Sequence, residues 1–116
     1  MSKTILVTGG AGHIGSHIIE ILVKDSNNKV ISLDNYFTGK LENHIDGAQY
    51  RTGHTKDIDK LIPETPDIVY HLGEYARVAP SFDDVEKVYD LNILGTFAVV
   101  NFCQKRKVGK LVYAAS

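Results

Sequence analysis

Four glycines and one aspartate carry the first chemistry legible in this chain. Gly9, Gly10, Gly12 and Gly15 lie in Thr8-Gly9-Gly10-Ala11-Gly12-His13-Ile14-Gly15, directly after the apolar run Ile5-Leu6-Val7. They read as G-x-G-x-x-G through Gly10, Gly12 and Gly15, or as G-x-x-G-x-x-G through Gly9, Gly12 and Gly15. Glycines at this spacing permit a sharp turn, let a pyrophosphate approach the backbone and let a helix pack closely on a strand. The phosphates then meet the free N–H groups and positive dipole end of the helix. Asp34 follows Gly15 by 19 positions, close to the ~20 expected for the acid that bonds the adenosine ribose hydroxyls. A carboxylate there repels a 2′-phosphate, so the pattern favours NAD over NADP.

Those residues need a strand, a turn, a helix and a second strand, and the sequence supplies them in order. Ile14, Ile18, Ile21 and Leu22 follow the glycines at helical spacing, which predicts a helix to about Lys24, stopped by the polar cluster Asp25-Ser26-Asn27-Asn28. Lys29–Asp34 reads as strand two, Asn35–Lys40 as a loop, Ala48–Thr52 as a short strand three, and Asp57–Ile62 as a brief helix ended by Pro63 and Pro66. Asp67–Leu72 has the near-continuous apolar run of a buried parallel strand. A long helical segment is predicted from Ser81 to Lys107, closed by Gly109, with Lys110–Ser116 as strand five. This alternation predicts one α/β domain over residues 1–116, a Rossmann-type doubly wound parallel sheet in the order 3-2-1-4-5 that stops after strand five. The ligand is expected across the strand C-termini, between strands one and four.

Composition narrows the partners. Thirteen Lys plus Arg balance 14 Asp plus Glu over 116 residues, which argues against nucleic acid. Lys105-Arg106-Lys107 reads as a solvated helix end favoured by the macrodipole. The single cysteine, Cys103, sits on an apolar helix and reads as a small buried hydrophobe. With no secretory apolar core after Met1 and no run of membrane-spanning length, a soluble cytoplasmic protein with no membrane partner is expected.

The ordered motifs Thr8–His17, Leu33-Asp34-Asn35, His71-Leu72-Gly73, Asn92-Ile93-Leu94-Gly95-Thr96 and Val112–Ser116 resemble the nucleotide-sugar epimerase/dehydratase branch of the extended short-chain dehydrogenase/reductase family. The resemblance implies that Gly9, Gly12, His13, Ile14 and Gly15 follow the pyrophosphate of NAD. It also implies that Asp34 and Asn35 hold the adenosine ribose, with Thr38 and Gly39 in the same loop. His54 and Thr55 fall at the adenine position. Leu72, Gly73 and Glu74 would pass beneath the cofactor riboses, and Asn92 would support the nicotinamide side. Ser116 matches the catalytic hydroxyl that bonds the sugar 4-OH. The implied activity is 4-epimerisation of a nucleotide sugar, a UDP-sugar foremost, in a homodimer. A 4,6-dehydratase and a non-catalytic NAD-binding module are the alternatives.

The chain also departs from the family pattern. His13 stands where Phe or Tyr is usual and keeps a flat ring. His54 stands where an Asp usually receives the adenine amino group, and an imidazole accepts that hydrogen bond only when neutral. Glu74 replaces a small residue beside the cofactor and is expected to turn away or pair with Arg77. The family's Tyr-x-x-x-Lys pair falls beyond Ser116, so the chain is expected to be the N-terminal, cofactor-binding part of a longer enzyme, inactive alone. The formal match Tyr36–Lys40 lies in the ribose loop and is rejected as that pair.

No metal site is expected: His13 and His17 are four apart but lack the glutamate of H-E-x-x-H. His71 reads as a hydrogen-bonded histidine at a strand end rather than a general base. Tyr75 and Tyr113 are as consistent with packing as with substrate contact.

Overall fold

The computed structural model describes residues 2–36, 39–73 and 89–113. Ile5, Leu6, Val7 and Thr8 are almost fully buried, and the strand that carries them, β1 (Lys3–Thr8), lies at the centre of the sheet. It pairs in parallel with β2 (Asn28–Asp34) on one side and β4 (Ile68–His71) on the other. Strand β3 (Ala48–Thr52) extends the β2 edge and β5 (Lys110–Tyr113) the β4 edge. The order is β3-β2-β1-β4-β5, all parallel, as the alternation of elements predicts.

Both faces of this sheet are covered, so its strands are apolar on both sides. On one face Leu6, Ile31, Leu33 and Val69 pack with Ile58 and Ile62 and with Val99, Phe102 and Cys103. Ile58 lies on the short helix α2 (Ile58–Leu61), and the last three on α3 (Gly95–Lys105). The fully buried Phe102 ring alone contributes roughly 2–3 kcal/mol. On the other face Ile5, Val7 and Val30 meet Ile19 of α1 (His13–Leu22), with Leu22, Val23 and Tyr50 at the margin.

The helices differ from the sequence pattern in informative ways. Helix α1 ends at Leu22, where the Asn28 side-chain amide donates to the Leu22 carbonyl at 3.0 Å. Its buried face is Gly15, Ser16 and Ile19, whereas Ile14 and Ile21 are about two-thirds exposed (64% and 66%). Glycine packing at the helix start, not apolar periodicity, sets its rotation. The brief helix is preceded by a 3-10 turn at Thr55–Asp57. The described part of the long segment begins as a π-helical turn, Tyr89–Leu94, and continues as α3. Residues 81–88 of that segment and 114–116 of strand five lie outside the described residues.

The basic cluster after α3 is more than a solvated end. Arg106 donates to the carbonyls of Ile62, Pro63 and Glu64 at 2.9, 3.1 and 2.7 Å. It also bonds Asp59 and lies 4.6 Å over the Phe102 ring. It therefore fastens α3 to the proline-bounded stretch before β4. Arg51 holds the same stretch from the sheet edge, through a two-pronged bond to Glu64 at 2.7 and 2.6 Å.

Candidate dinucleotide site

The turn after β1 is dictated by crowding. Gly9 has φ +72°, a left-handed conformation natural to glycine, and a Cβ there would lie 2.8 Å from the Leu72 carbonyl oxygen. A Cβ on Gly15 would lie 2.2 Å from the Gly9 oxygen, so the first turn of α1 rests directly on the glycine turn. Gly9 and Gly15 thus take the tight-turn and close-packing roles, with Gly12 between them. Among the described residues, a Cβ on Gly12 would meet only the Gly9 oxygen, at 3.2 Å. Gly12 is the N-cap of α1 and has no side-chain cap, and the first turn holds no acidic residue. The opening N–H groups, on His13, Ile14 and Gly15, receive no capping side chain, which suits an anion. His13 and Ile14 are exposed at this end, and the His13 and His17 rings meet edge to face at 4.7 Å.

Asp34 closes the turn from β2. Its Oδ2 accepts from the Ala11 N–H at 3.0 Å and its Oδ1 from the Tyr36 N–H at 2.8 Å. The Ala11 carbonyl in turn accepts from Lys40 N–H at 3.0 Å and from the Asn43 amide at 2.8 Å. Gly39 lies over this carboxylate: a Cβ there would come within 2.7 Å of Asp34 Oδ2. One buried acid therefore holds the glycine turn and the loop after β2 together.

Gly9, Leu33, Asp34, Asn35, Gly53, Thr55 and Gly73 line one shallow pocket at the C-terminal ends of β1 to β4. Thr55 is 3% exposed, and its hydroxyl has no hydrogen-bond partner among the described residues. A buried hydroxyl requires a partner, and the polar edge of an adenosine in this pocket would suit it. The uncapped helix start, the ribose-side acid and this hydroxyl fit a dinucleotide. His54 has a second duty: its Nδ1 accepts from Lys56 N–H at 3.0 Å and caps the 3-10 turn. A neutral His54 ring in this arrangement carries its proton on Nε2. The acceptor nitrogen suited to the adenine amino group is committed to the turn.

Leu72 and Gly73 are held by the Thr8 side chain, whose Oγ1 accepts from their N–H groups at 2.9 and 3.0 Å. Asn92 is half-buried within the π-helical turn. Thr38, Glu74, Tyr75, Arg77 and Ser116 lie outside the described residues. The surroundings of Tyr36 oppose its ionisation. Burial first, then the Asp34 carboxylate and Tyr50, push its phenol above the ordinary value. Its hydroxyl bonds His44 Nε2 at 2.5 Å. Sequence spacing gave no signal for this contact, nor for the stacking of His44 on Tyr50 at 3.7 Å.

Residues 5–116 match the model of the NAD dependent epimerase/dehydratase family. The chain belongs to that family. The UDP-glucose 4-epimerase of Lactobacillus helveticus is 34% identical over 116 residues, covering 97% of this chain and 35% of that protein. The dTDP-D-glucose 4,6-dehydratase of Dictyostelium discoideum is 34% identical over 125 residues, covering 98% and 29%. Among solved structures, the Thermus thermophilus UDP-glucose 4-epimerase in complex with NAD superposes with a TM-score of 0.84 at 34% identity, covering 97% of this chain and 37% of that one. The chain therefore spans about a third of the length of the relatives it matches. The family that it matches is described as NAD dependent. Among the described residues no helix is long and apolar enough to cross a membrane.

Proposed function

We propose that the chain is the NAD-binding portion of a nucleotide-sugar 4-epimerase of the UDP-glucose/UDP-galactose type. The observation that carries the cofactor half of this reading is the Asp34–Ala11 bond beside the uncapped start of α1. It sets a ribose-binding acid next to a phosphate-binding turn. Gly9, Gly12 and Gly15 give the pyrophosphate access to the backbone N–H groups, with His13 and Ile14 flanking it. Asp34 and Asn35 take the adenosine ribose beside Gly39, and the family resemblance adds Thr38. Thr55 and His54 meet the adenine, Leu72 and Gly73 form the floor, to which the family resemblance adds Glu74, and Asn92 supports the nicotinamide side. When bound, NAD supplies the hydride acceptor and donor for transient oxidation at sugar C4. Ser116 holds the sugar 4-hydroxyl, by family resemblance, while proton transfer falls to a Tyr-x-x-x-Lys pair beyond it.

The epimerase relatives and the sequence Ala114-Ala115-Ser116 support this reading over a 4,6-dehydratase, in which a Thr-Asp-Glu usually begins at the place of Ser116. The Dictyostelium relative keeps the dehydratase as the second reading. Ile93, Phe97 and Val100 form an exposed apolar stripe at helical spacing, 56%, 72% and 47% exposed. That stripe supports a homodimer of the whole protein through α3.

The test has two parts. The 116-residue chain is expected to bind NAD in calorimetric titration and to show no turnover. The whole protein is expected to interconvert UDP-galactose and UDP-glucose. A 4-keto-6-deoxy sugar product instead establishes the dehydratase, and NAD binding without either reaction establishes a non-catalytic module.

A further inference from the structure

Proton counting at the end of β4 gives His71 a role. The residue is 1% exposed, with Nδ1 2.7 Å from Thr8 Oγ1 and Nε2 3.1 Å from Thr96 Oγ1. The Thr8 hydroxyl has one proton and already accepts from the N–H groups of Leu72 and Gly73. Its own proton must go to His71 Nδ1, which is then an acceptor. The neutral ring carries its proton on Nε2 and donates it to Thr96. Tyr113 of β5 covers the ring, centroid to centroid 5.7 Å with 26° between planes.

Three parts of the cofactor site meet through this one ring. Thr8 is the last residue of β1 before the glycine turn. Leu72 and Gly73 are the floor, and a Cβ on Gly73 would come within 3.1 Å of Thr8 Oγ1, so the floor sits directly on that hydroxyl. Thr96 is the second residue of α3, which follows directly on the π-helical turn that carries Asn92, and such turns are frequent at functional sites. We propose that His71 is a positioning residue for the cofactor, an Nε2–H imidazole that joins Thr8 and the Leu72–Gly73 floor to the turn bearing Asn92. It touches no reacting atom. It sets the distance between the floor beneath the riboses and the helix on the nicotinamide side. The proposal rests on the NAD-binding reading.

The test uses the chain itself in two arms. Long-range ¹H–¹⁵N correlation at the imidazoles is expected to show His71 with unprotonated Nδ1 and protonated Nε2. A protonated Nδ1 overturns the proposal. In NAD titrations, Thr96→Val is expected to weaken binding by about three- to ten-fold, the loss of the His71–Thr96 hydrogen bond expressed in affinity. Thr96→Ser should restore it, and both variants should keep the fold by circular dichroism. A purely structural bond would lower the melting temperature and leave affinity unchanged, which also overturns the proposal. Absence of NAD binding by the unaltered chain removes the functional reading and this proposal together, whereas unchanged affinity in Thr96→Val removes the proposal alone.

Discussion

Asp34 Oδ2 lies 3.0 Å from the backbone nitrogen of Ala11, so the acid at the end of β2 is bonded into the glycine turn at the end of β1. The carboxylate fixes the turn, and in the function proposed above it also presents a negative charge to the ribose. Asp34→Ala removes both. It is expected to destabilise the chain by about 1–3 kcal/mol, as for a charged hydrogen bond at a buried site, and to weaken NAD binding. Asp34→Asn keeps an oxygen for Ala11 but loses the charge. Its melting temperature should fall less, while its preference for NAD over NADP falls at least as far. Parallel NAD and NADP titrations of the two variants separate the tasks, and unchanged NAD affinity in Asp34→Ala would displace the ribose from Asp34.

Gly12 and Gly15 predict opposite failures. At Gly15 a methyl group would overlap the backbone of Gly9, so Gly15→Ala is expected to cost about 2 kcal/mol or more and lower the melting temperature. At Gly12 the nearest described atom, the Gly9 carbonyl oxygen, is 3.2 Å away and needs only a small shift, so Gly12→Ala should lower the melting temperature less than Gly15→Ala does. Its methyl group should still obstruct a pyrophosphate and sharply reduce NAD affinity. Melts and titrations on both variants check the contrast.

Glu64 gives the chain an acid-sensitive link. Its two-pronged bond to Arg51 is the main cause that lowers its carboxyl from 4.5 to about 2, with burial opposing. A carboxylate lowered in the folded state adds stability above its unfolded value and loses it as pH falls through the folded one. The contribution is therefore full above about pH 5 and vanishes from about 4.5 down to about 2. With both side chains about a quarter exposed, solvent screening limits it to roughly 1–2 kcal/mol. Denaturant midpoints from pH 6 to pH 2 should fall more steeply for the unaltered chain than for Glu64→Gln.

Phe97 projects into solvent from α3 at 72% exposure, four residues after Ile93 and three before Val100. If this stripe is the dimer face of the whole protein, Phe97→Glu should turn a dimer into a monomer in sedimentation velocity. NAD affinity should stay within about two-fold, because the buried face of α3 (Gly95, Val99, Phe102 and Cys103) is untouched. A dimer that persists in Phe97→Glu places the contact elsewhere.

By itself the sequence determined the sheet order, the glycine turn and the aspartate. Those signals are local: apolar runs, residue types that alone tolerate a turn, and a spacing fixed by the length of one β-α-β unit. What needed the tertiary structure were relationships between residues far apart in the chain. No periodicity could show that Asp34 bonds Ala11, that Thr8 meets His71 across the sheet, or that Arg106 clasps the carbonyls before β4, because strand pairing and helix docking create those distances. The rotation of α1 was decided there too. Apolar spacing pointed to Ile14 and Ile21, but Gly15 against Gly9 turned the helix so that Gly15, Ser16 and Ile19 face the sheet. Close backbone packing at a glycine outweighs an apolar stripe because overlap at 2.2 Å is forbidden, whereas exposing an isoleucine costs only a few kcal/mol.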